Sequence, residues 1–394
     1  MAQNHPSMKL ILLGGFLALI VSMGLGRFFY TPMLPLMQDG MSFSDATGGW
    51  IAGINLLGYS LGAIWVSMVK TPSIRWWLNI AGLFLCTGGT FLSGAFDNEI
   101  ALTIVRFFTG LGSAFVMILS LAFAIEGLDE QQRIRASGIV IAGVGIGLAL
   151  SGGLTLILKT TLSWQSLWYL GGFICLLMTI CAILWLPRPA ENHISNNHQT
   201  STAWWKNKPF VLFFTAYFFG GAGYSVSATF LVDLIQGASD LSWLGDSAWI
   251  IVGLAAAPSS WLWGRAAARF GGHKTLMTAY VLLGLGVILP VFSAELLFVF
   301  LSAFLFGATF SSVVGMSMTV GSHMIPHAST QTMGVLTIAF GLGQMISPII
   351  AGESTRILGG YDGALLMAGA ACALGLIFTV MSYASLNRQK KAIT

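Results

Sequence analysis

Two arginines, Arg27 and Arg106, stand inside long apolar stretches of the sequence. An ionisable side chain within an apolar span is costly and usually marks a path for a substrate or an ion. The guanidinium group is planar and binds a carboxylate through two parallel hydrogen bonds. Few acidic residues lie deep enough in these stretches to neutralise the two charges. We therefore expect Arg27 to bind an anionic group, and we expect Arg106, at a similar depth, to belong to the same electropositive pocket.

Each arginine also has a structural interpretation. Arg27 would form an ion pair with Asp233 or Glu353, and Arg106 would extend toward the outer interface near Glu99. The substitution Arg27→Lys distinguishes the two interpretations of Arg27, because only bidentate recognition requires the guanidinium fork. Asp233 and Glu353 are also the acids best placed to carry a proton.

Five further polar side chains are candidate ligand contacts. They are Tyr30, Asn55, Tyr59, Tyr224 and Gln344. Tyr30 lies three residues beyond Arg27 and shares its helix face, and Asn55 and Tyr59 stand four residues apart on one face of the next span. Each of the five is equally able to bond a neighbouring helix instead.

The composition places these residues in a membrane protein. Of the 394 residues, 56% are hydrophobic and 8% are charged, whereas a soluble domain carries about 25% charged residues. The mean hydropathy is +0.81, and 48 glycines suit close contact between membrane helices. This composition excludes an ordinary soluble enzyme. We expect no enzyme activity, no cofactor and no metal site.

Twelve stretches are apolar and long enough to cross a bilayer, which takes about 20 residues. They cover residues 9–37, 46–69, 75–95, 99–124, 134–158, 164–186, 209–236, 245–268, 273–293, 295–320, 329–353 and 362–386. A polar segment, 187–208, divides them into two sets of six. We therefore predict an all-α integral membrane fold of twelve transmembrane helices. Its parts are an N-terminal bundle of residues 1–186, a cytoplasmic linker of residues 187–208 and a C-terminal bundle of residues 209–394.

The basic residues indicate an orientation. Fourteen of the 18 lysines and arginines fall on the side of the N-terminus, two lie within spans, and Lys159 and Arg356 fall on the opposite side. Cytoplasmic loops are enriched in Lys and Arg. We therefore expect both termini to be cytoplasmic.

The two sets of six spans repeat each other. An offset of 197 residues pairs Gly24 with Gly221, Gly26 with Gly223 and Gly110 with Gly307. An offset of 196 residues pairs Gly145 with Gly341, Gly147 with Gly343 and Ser151 with Ser347. The offset of 197 also places Tyr224 at the position of Arg27. Parallel repeats of six spans are a transporter architecture, with the site at the midplane between the halves.

Several motifs carry a resemblance to a known family. The loop after the eighth span reads Gly264-Arg265-Ala266-Ala267-Ala268-Arg269-Phe270-Gly271-Gly272-His273-Lys274. The fourth span reads Leu102-Thr103-Ile104-Val105-Arg106-Phe107-Phe108-Thr109-Gly110-Leu111-Gly112. Together with the glycine-rich fifth span, these motifs resemble the major facilitator superfamily. The first and seventh spans, around Gly24-Leu25-Gly26-Arg27 and Gly221-Ala222-Gly223-Tyr224, resemble its YbfB/YjiJ-type bacterial branch.

The resemblance implies a role for some of these residues. In the superfamily, the loop after the eighth span closes the cytoplasmic side of the outward-facing state. Its counterparts here are Gly264, Arg269, Gly271 and Lys274. The arginine of the fourth span, here Arg106, is associated in the family with proton coupling or substrate handling. Spans 1, 4, 7 and 10 line the central cavity of the family.

We predict a secondary active transporter that moves a small anionic organic solute across the bacterial inner membrane by alternating access, coupled to protons. The expected partners are the solute, protons and the lipid bilayer, without nucleic acid, and we expect a monomer. A drug or metabolite efflux antiporter is the first alternative. A non-transporting membrane sensor or a membrane-embedded enzyme is the second.

Overall fold

The computed structural model describes residues 7–126, 128–188, 203–238, 243–293, 295–325 and 329–393. Within these ranges the chain forms twelve long helices and no strand. They are α1 (Met8–Met41), α2 (Asp45–Met68), α3 (Pro72–Ser93), α4 (Glu99–Ile125), α5 (Glu130–Leu158), α6 (Trp164–Trp185), α7 (Lys208–Ala238), α8 (Trp243–Phe270), α9 (Gly272–Phe292), α10 (Leu296–Met324), α11 (Ser329–Leu358) and α12 (Asp362–Ile393). The all-α prediction and the twelve predicted spans are confirmed.

Ten of these helices are both long and apolar enough to cross a membrane. The other two, α3 and α8, carry polar side chains that lower their mean hydropathy, among them Asn79 in α3 and Asp246 in α8. Both side chains are fully buried. Their polarity is therefore turned toward the protein interior, as expected for polar residues within a membrane bundle.

Local sequence signals set the ends of several helices. The side chains of Ser44, Asn98 and Ser163 accept hydrogen bonds from backbone N–H groups in the first turns of α2, α4 and α6. Gly271 alone separates α8 from α9, with a φ of 89° that favours glycine. These short connections make consecutive helices run in opposite directions.

The helix contacts repeat between the first six helices and the last six. A Cβ atom on Gly110 of α4 would overlap the Asn55 carbonyl oxygen of α2. A Cβ atom on Gly307 of α10 would likewise overlap the Val252 carbonyl oxygen of α8. Because Asn55 and Val252 are themselves 197 residues apart, the same close approach occurs at the same place in both halves. The contacts thus follow the sequence repeat.

The contacts between the halves repeat as well. Gly145 of α5 lies against Ala257 of α8, and Gly341 of α11 lies against Ser60 of α2. Ala257 and Ser60 are again 197 residues apart. The halves therefore meet through two equivalent seams, α5 with α8 and α2 with α11.

The bundle has two different ends. We call the end that carries the loops after α2, α4, α8 and α10 the basic face, because Lys70 and Arg265 lie there. The opposite end, with Asp97 and Glu295, is the acidic face. The halves touch along the part of the seams nearer the acidic face. There the Thr31 hydroxyl donates to a carbonyl oxygen of α7, and Gly49 lies directly against a carbonyl oxygen of α11.

We expect Gly343→Ala to destabilise the protein and Gly334→Ala, in the same helix, to leave its stability unchanged. A Cβ atom on Gly343 would overlap the Phe218 carbonyl oxygen of α7, whereas one on Gly334 would meet no atom within 4 Å. Overpacking of this kind costs about 1–3 kcal/mol. Thermal unfolding of the two purified variants measures the difference. Equal melting temperatures would contradict the close α7–α11 contact.

Candidate functional site

A cavity of about 1900 Å³ opens at the basic face and ends near the middle of the bundle. Its lining is electropositive. Among the described residues that line it, five are lysine or arginine and none is aspartate or glutamate. The five are Arg27, Lys70, Arg75, Arg135 and Arg265. Four of them lie toward the mouth, and Arg27 lies at the closed end.

Arg27 links the two halves at this closed end. Its Nη2 donates to the Tyr224 hydroxyl over 2.8 Å and to the Gln344 Oε1 over 3.0 Å. Its guanidinium carbon lies 4.4 Å from the centre of the Tyr59 ring. Nε is buried without a partner. Nη1 makes no hydrogen bond to the described residues, so two donors of a buried cation remain for a ligand.

A network of hydrogen bonds fixes the partners of Arg27. The Tyr224 hydroxyl donates to Gln344 Oε1 over 2.8 Å. Gln344 Nε2 donates to Ser60 Oγ over 3.2 Å, and Ser60 in turn donates to the Leu56 carbonyl oxygen. The network therefore joins α1, α2, α7 and α11, and it holds the amide oxygen of Gln344 toward the cation. Of the predicted contacts, Arg27, Tyr59, Tyr224 and Gln344 line the cavity.

The backbone of α1 is irregular where it carries Arg27. Residues Ile20–Phe28 form a π-helical segment between two α-helical ones. Pro32 follows and has no N–H for the carbonyl groups one turn earlier. Arg106 supplies donors at this turn, with Nη1 to the Gly26 carbonyl oxygen and Nη2 to the Arg27 carbonyl oxygen, both over 2.7 Å. Short π-helical segments are frequent at functional sites.

Arg106 lies behind α1 and not on the cavity. Its side chain is 1% exposed, so it does not reach the outer interface. Asn55 Nδ2 donates to the Arg106 carbonyl oxygen over 2.7 Å, and the Tyr30 hydroxyl donates to the Gly48 carbonyl oxygen over 3.1 Å. A separate small pocket of about 20 Å³ is lined by Tyr30, Asn55 and Arg106. Arg27 and Tyr224 lie between this pocket and the main cavity. They thus lie one layer further from a ligand in the cavity.

Rings from three helices form one wall of the cavity, which we call the aromatic wall: Tyr217, Tyr224, Phe310 and Phe340. Tyr224 stacks on Phe340 with ring centres 5.4 Å apart at 12°, and on Phe310 with centres 6.1 Å apart at 11°. Tyr217 also stacks on Phe340, with ring centres 4.7 Å apart. Phe306 extends the stack behind Phe310 and does not line the cavity. The wall is thus a series of nearly parallel rings beside Arg27.

The two acidic candidates lie near the acidic face, and neither lines the cavity. Glu353 forms an exposed ion pair with Arg356 over 2.9 Å. Asp233 of α7 accepts a hydrogen bond from the Tyr361 hydroxyl, in the loop between α11 and α12. Burial, and after it the charges of Asp233 and Asp45, raise the pKa of the Tyr361 phenol, which keeps it a donor. Neither acid pairs with Arg27, so the structural interpretation of Arg27 is not what the structure shows.

One ion pair joins the halves at the acidic face. Lys159 Nζ, at the end of α5, lies 2.5 Å from Asp246 Oδ2 in the first turn of α8. The Asp246 side chain is fully buried and that of Lys159 is 13% exposed. Beside it, Trp249 Nε1 donates to Ser151 Oγ over 3.1 Å. This cluster closes the α5–α8 seam at the end opposite the cavity mouth.

The predicted gating loop lies at the mouth of the cavity. Gly264 lines the cavity, and Arg269 lies over the ring of Phe270 at 5.3 Å. Gly271 makes the turn into α9, where Lys274 lies in the first turn. The loop leaves the basic end open in this conformation, and its gating role stays a prediction.

Sequence reasoning missed Ser60, the aromatic wall and the Lys159–Asp246 pair. The repeat offers a signal for the wall. The offset of 197 matches Tyr217 with Ile20 and Phe310 with Ser113, and the offset of 196 matches Phe340 with Val144. The second half therefore carries rings where the first half carries smaller side chains. No comparable signal exists for Lys159 and Asp246, which lie on different helices 87 residues apart.

Comparison with known proteins places the chain among transporters. The sequence model of the family described as "Uncharacterised MFS-type transporter YbfB" matches residues 19–380. The uncharacterised MFS-type transporter YceJ of Bacillus subtilis is 26% identical over 363 residues, which cover 88% of this chain and 91% of that protein. Crystal structures of the nucleoside transporter NupG include a mutant with a TM-score of 0.76 at 16% identity, covering 95% of this chain and 99% of that one. This likeness shows the shared fold.

Shorter matches involve transporters of different cargo. The 4-hydroxybenzoate transporter PcaK of Pseudomonas putida is 27% identical over 167 residues, which are 42% of this chain and 37% of that protein. The multidrug resistance protein Stp of Mycobacterium tuberculosis is 28% identical over 181 residues, which are 42% of this chain and 33% of that protein. The family and these relatives are transporters and not enzymes, as predicted. The chain is a multi-pass membrane protein that belongs to the YbfB-type family of major facilitator superfamily transporters.

Proposed function

We propose that this protein is a secondary transporter that moves a small organic anion across the bacterial inner membrane by alternating access. The observation that carries this proposal is the charge of the cavity, whose described lining includes five basic residues and no acidic one. At its closed end, Arg27 keeps two donors for a ligand. A carboxylate fits these donors, because each N–H of a guanidinium group forms a charge-assisted hydrogen bond with a carboxylate oxygen. A cationic cargo would meet unfavourable charge along the whole path.

The orientation follows from the same charges. We propose that the basic face is cytoplasmic, with both termini on that side, because Lys and Arg are enriched in cytoplasmic loops. The cavity is then open to the cytoplasm and closed toward the outside. We further propose that residues 1–186 and 209–394 are the two bodies that rock about the site, that residues 187–208 link them, and that a monomer suffices.

A ligand screen tests the proposed anion. Purified protein is heated with 4-hydroxybenzoate, the cargo named for a relative, with its neutral amide 4-hydroxybenzamide, and with hydrophobic cations. We expect the carboxylate to raise the melting temperature and the amide of equal size to leave it unchanged. A ligand at one hundred times its Kd stabilises by about 2.7 kcal/mol. Stabilisation by cations alone would overturn the proposal and favour the drug-efflux alternative.

We also propose that transport is coupled to protons through Asp233. Two ion pairs occur among the described residues and they use Asp246 and Glu353, so Asp233 is a half-buried acid without a cationic partner there. Asp39 and Asp45 act on it electrostatically, and Tyr361 donates to it. These neighbours make its charge state sensitive to the contact between the halves.

We expect Asp233→Asn to remove the effect of a pH gradient on transport while substrate exchange continues. The amide carries no ionisable proton, and it preserves the size of the side chain. Uptake into proteoliposomes, with and without an imposed pH gradient, measures this. Glu353→Gln is the matched control and should behave as the wild type, because Glu353 is exposed and paired with Arg356. A full pH response in Asp233→Asn would exclude Asp233, and a wild type that ignores the gradient would exclude proton coupling.

A further inference from the structure

We infer that the ligand of this cavity is an aromatic carboxylate, with its carboxylate on Arg27 and its ring against the aromatic wall. The inference rests on the proposed function, since it takes for granted that the site binds an anion. It adds the chemical class of the anion. Three features of the site carry it.

The first feature is the direction in which Arg27 can accept a ligand. The Tyr59 ring lies 4.4 Å from the guanidinium carbon and the Phe28 ring lies 4.9 Å from it. Tyr224 and Gln344 occupy Nη2. A carboxylate must therefore approach the guanidinium group at its edge and accept from Nε or from Nη1, whose N–H groups point to different edges. The part of the ligand beyond the carboxylate then lies among ring side chains.

The second feature is the shape of the aromatic wall. Three of its rings, those of Tyr224, Phe310 and Phe340, are tilted by only 11–12° from each other in adjacent pairs. Rings that stack on each other cover each other's faces, so this row offers its edges to the cavity. Aromatic groups prefer offset-stacked or edge-to-face contact with such rings, and they gain more from it than from buried area alone. An aliphatic chain gains only the area.

The third feature is the asymmetry between the repeats. The two halves share their close helix contacts, yet the first half has Ile20, Ser113 and Val144 at the positions of three wall rings. Helix packing in this fold therefore does not require rings at these positions. The wall rings come from α7, α10 and α11, whereas the first half contributes the rings of Phe28 and Tyr59 to the cavity lining. This placement points to a ligand with a ring.

The test compares two acids of equal charge and similar size. Benzoate and cyclohexanecarboxylate each carry one carboxylate on a six-membered ring, and only benzoate is aromatic. Binding to the purified full-length protein in lipid nanodiscs is measured by calorimetric titration. We expect benzoate to bind roughly 3- to 10-fold more tightly, the range that aromatic pairs supply beyond area. Equal affinity, or tighter binding of cyclohexanecarboxylate, would overturn the aromatic inference and leave the anion proposal intact.

Two outcomes separate this inference from the proposed function. If neither acid binds and hydrophobic cations do, the anion proposal fails, and the inference fails with it. If both acids bind and benzoate is preferred, Phe310→Leu and Phe340→Leu should reduce the preference to less than twofold. Leucine keeps an apolar side chain and removes the ring.

Phe306→Leu is the matched control. Phe306 stacks on Phe310 but does not line the cavity, so its replacement should keep the preference for benzoate. The ratio of the two affinities on the same variant cancels any general loss of folded protein. A preference that survives in both Phe310→Leu and Phe340→Leu would show that the wall does not recognise the ring.

Discussion

Arg27→Lys is expected to weaken carboxylate binding at least tenfold, although it keeps the positive charge. Arg27 already uses Nη2 for Tyr224 and Gln344, and it keeps Nε and Nη1 for a ligand. An ammonium group places all three donors on one atom and lacks the planar fork that matches a carboxylate. It therefore cannot reach the two protein acceptors and a carboxylate oxygen in the separate directions that the guanidinium nitrogens set.

The size of the effect follows from the hydrogen bonds that are lost. A hydrogen bond to a charged group contributes about 1.5–3 kcal/mol, and each 1.4 kcal/mol corresponds to about tenfold in Kd. Loss of one such bond in Arg27→Lys thus predicts a weakening of roughly 10- to 100-fold. Arg27→Met removes every donor and the charge, and it should abolish measurable binding. Calorimetric titration of 4-hydroxybenzoate on the purified variants measures both values.

Arg265→Lys is the control for Arg27→Lys. Arg265 lines the same cavity but lies exposed near the mouth, over the ring of Trp261. Exchange of one exposed cation for another should change the Kd by less than about twofold, because exposed charges interact weakly through water. An unchanged Kd in Arg27→Lys, with the protein folded, would show that the free guanidinium nitrogens of Arg27 do not bind the carboxylate. An equal loss in both variants would assign the effect to charge along the cavity and not to the closed end.

The sequence predicts the helices and the position of Arg27 because both depend on local patterns. Apolar runs of about 20 residues define the spans whatever the tertiary contacts are, and a charge within such a run is conspicuous. The repeat extends this to Tyr224, which occupies the position of Arg27 in the second half and contacts it directly. Residues at equivalent positions of the two halves contact each other when they lie near the pseudo-twofold axis that relates the halves. The offset of 197 residues therefore indicates that Arg27 and Tyr224 are in contact.

The sequence does not predict which way a side chain turns once its helix is packed. Arg106 has the same depth and chemistry as Arg27, yet it turns toward the carbonyl groups of α1 and is 1% exposed. That direction depends on the π-helical segment and on Pro32, which leave carbonyl groups of α1 without a backbone donor. Arg106 can donate to these groups only because α4 packs beside α1. The aromatic wall is likewise assembled from α7, α10 and α11, so no single stretch of sequence displays it.

Asp246→Asn is expected to open the acidic face. The Lys159–Asp246 pair joins α5 of the first half to α8 of the second, at the closed end of the seam. When the halves separate at this end, both side chains become hydrated and the pair is lost. The pair therefore stabilises only the conformation that is open at the basic face. Loss of the Asp246 charge alone, with the Lys159 charge still at the seam, must shift the population toward the opposite conformation.

The expected shift in the ratio of the two conformations is large for the exchange of one carboxylate for an amide of the same size. Removal of one partner from a buried ion pair costs about 3–5 kcal/mol. Lys159 is 13% exposed and keeps some contact with water, so we expect about 2 kcal/mol, which corresponds to a change of roughly 30-fold in the ratio of the two conformations. Spin labels at Phe96→Cys and Leu296→Cys, in a Cys181→Ala background, report the distance between the halves at the acidic face. Both label sites are exposed, and the other three native cysteines are buried.

An apolar pair separates the role of the ions from the role of packing. Buried ion pairs replaced by hydrophobic residues of similar volume often retain or gain stability, because no charge has to leave water. Lys159→Met combined with Asp246→Leu should therefore keep the acidic face closed, while Asp246→Asn alone opens it by leaving the Lys159 charge at the seam without its carboxylate. If the double variant opens as far as the single one, the ion pair itself holds the halves together. If neither variant lengthens the distance between the labels, closure depends on the glycine contacts of the two seams, and the pair has no part in the conformational equilibrium.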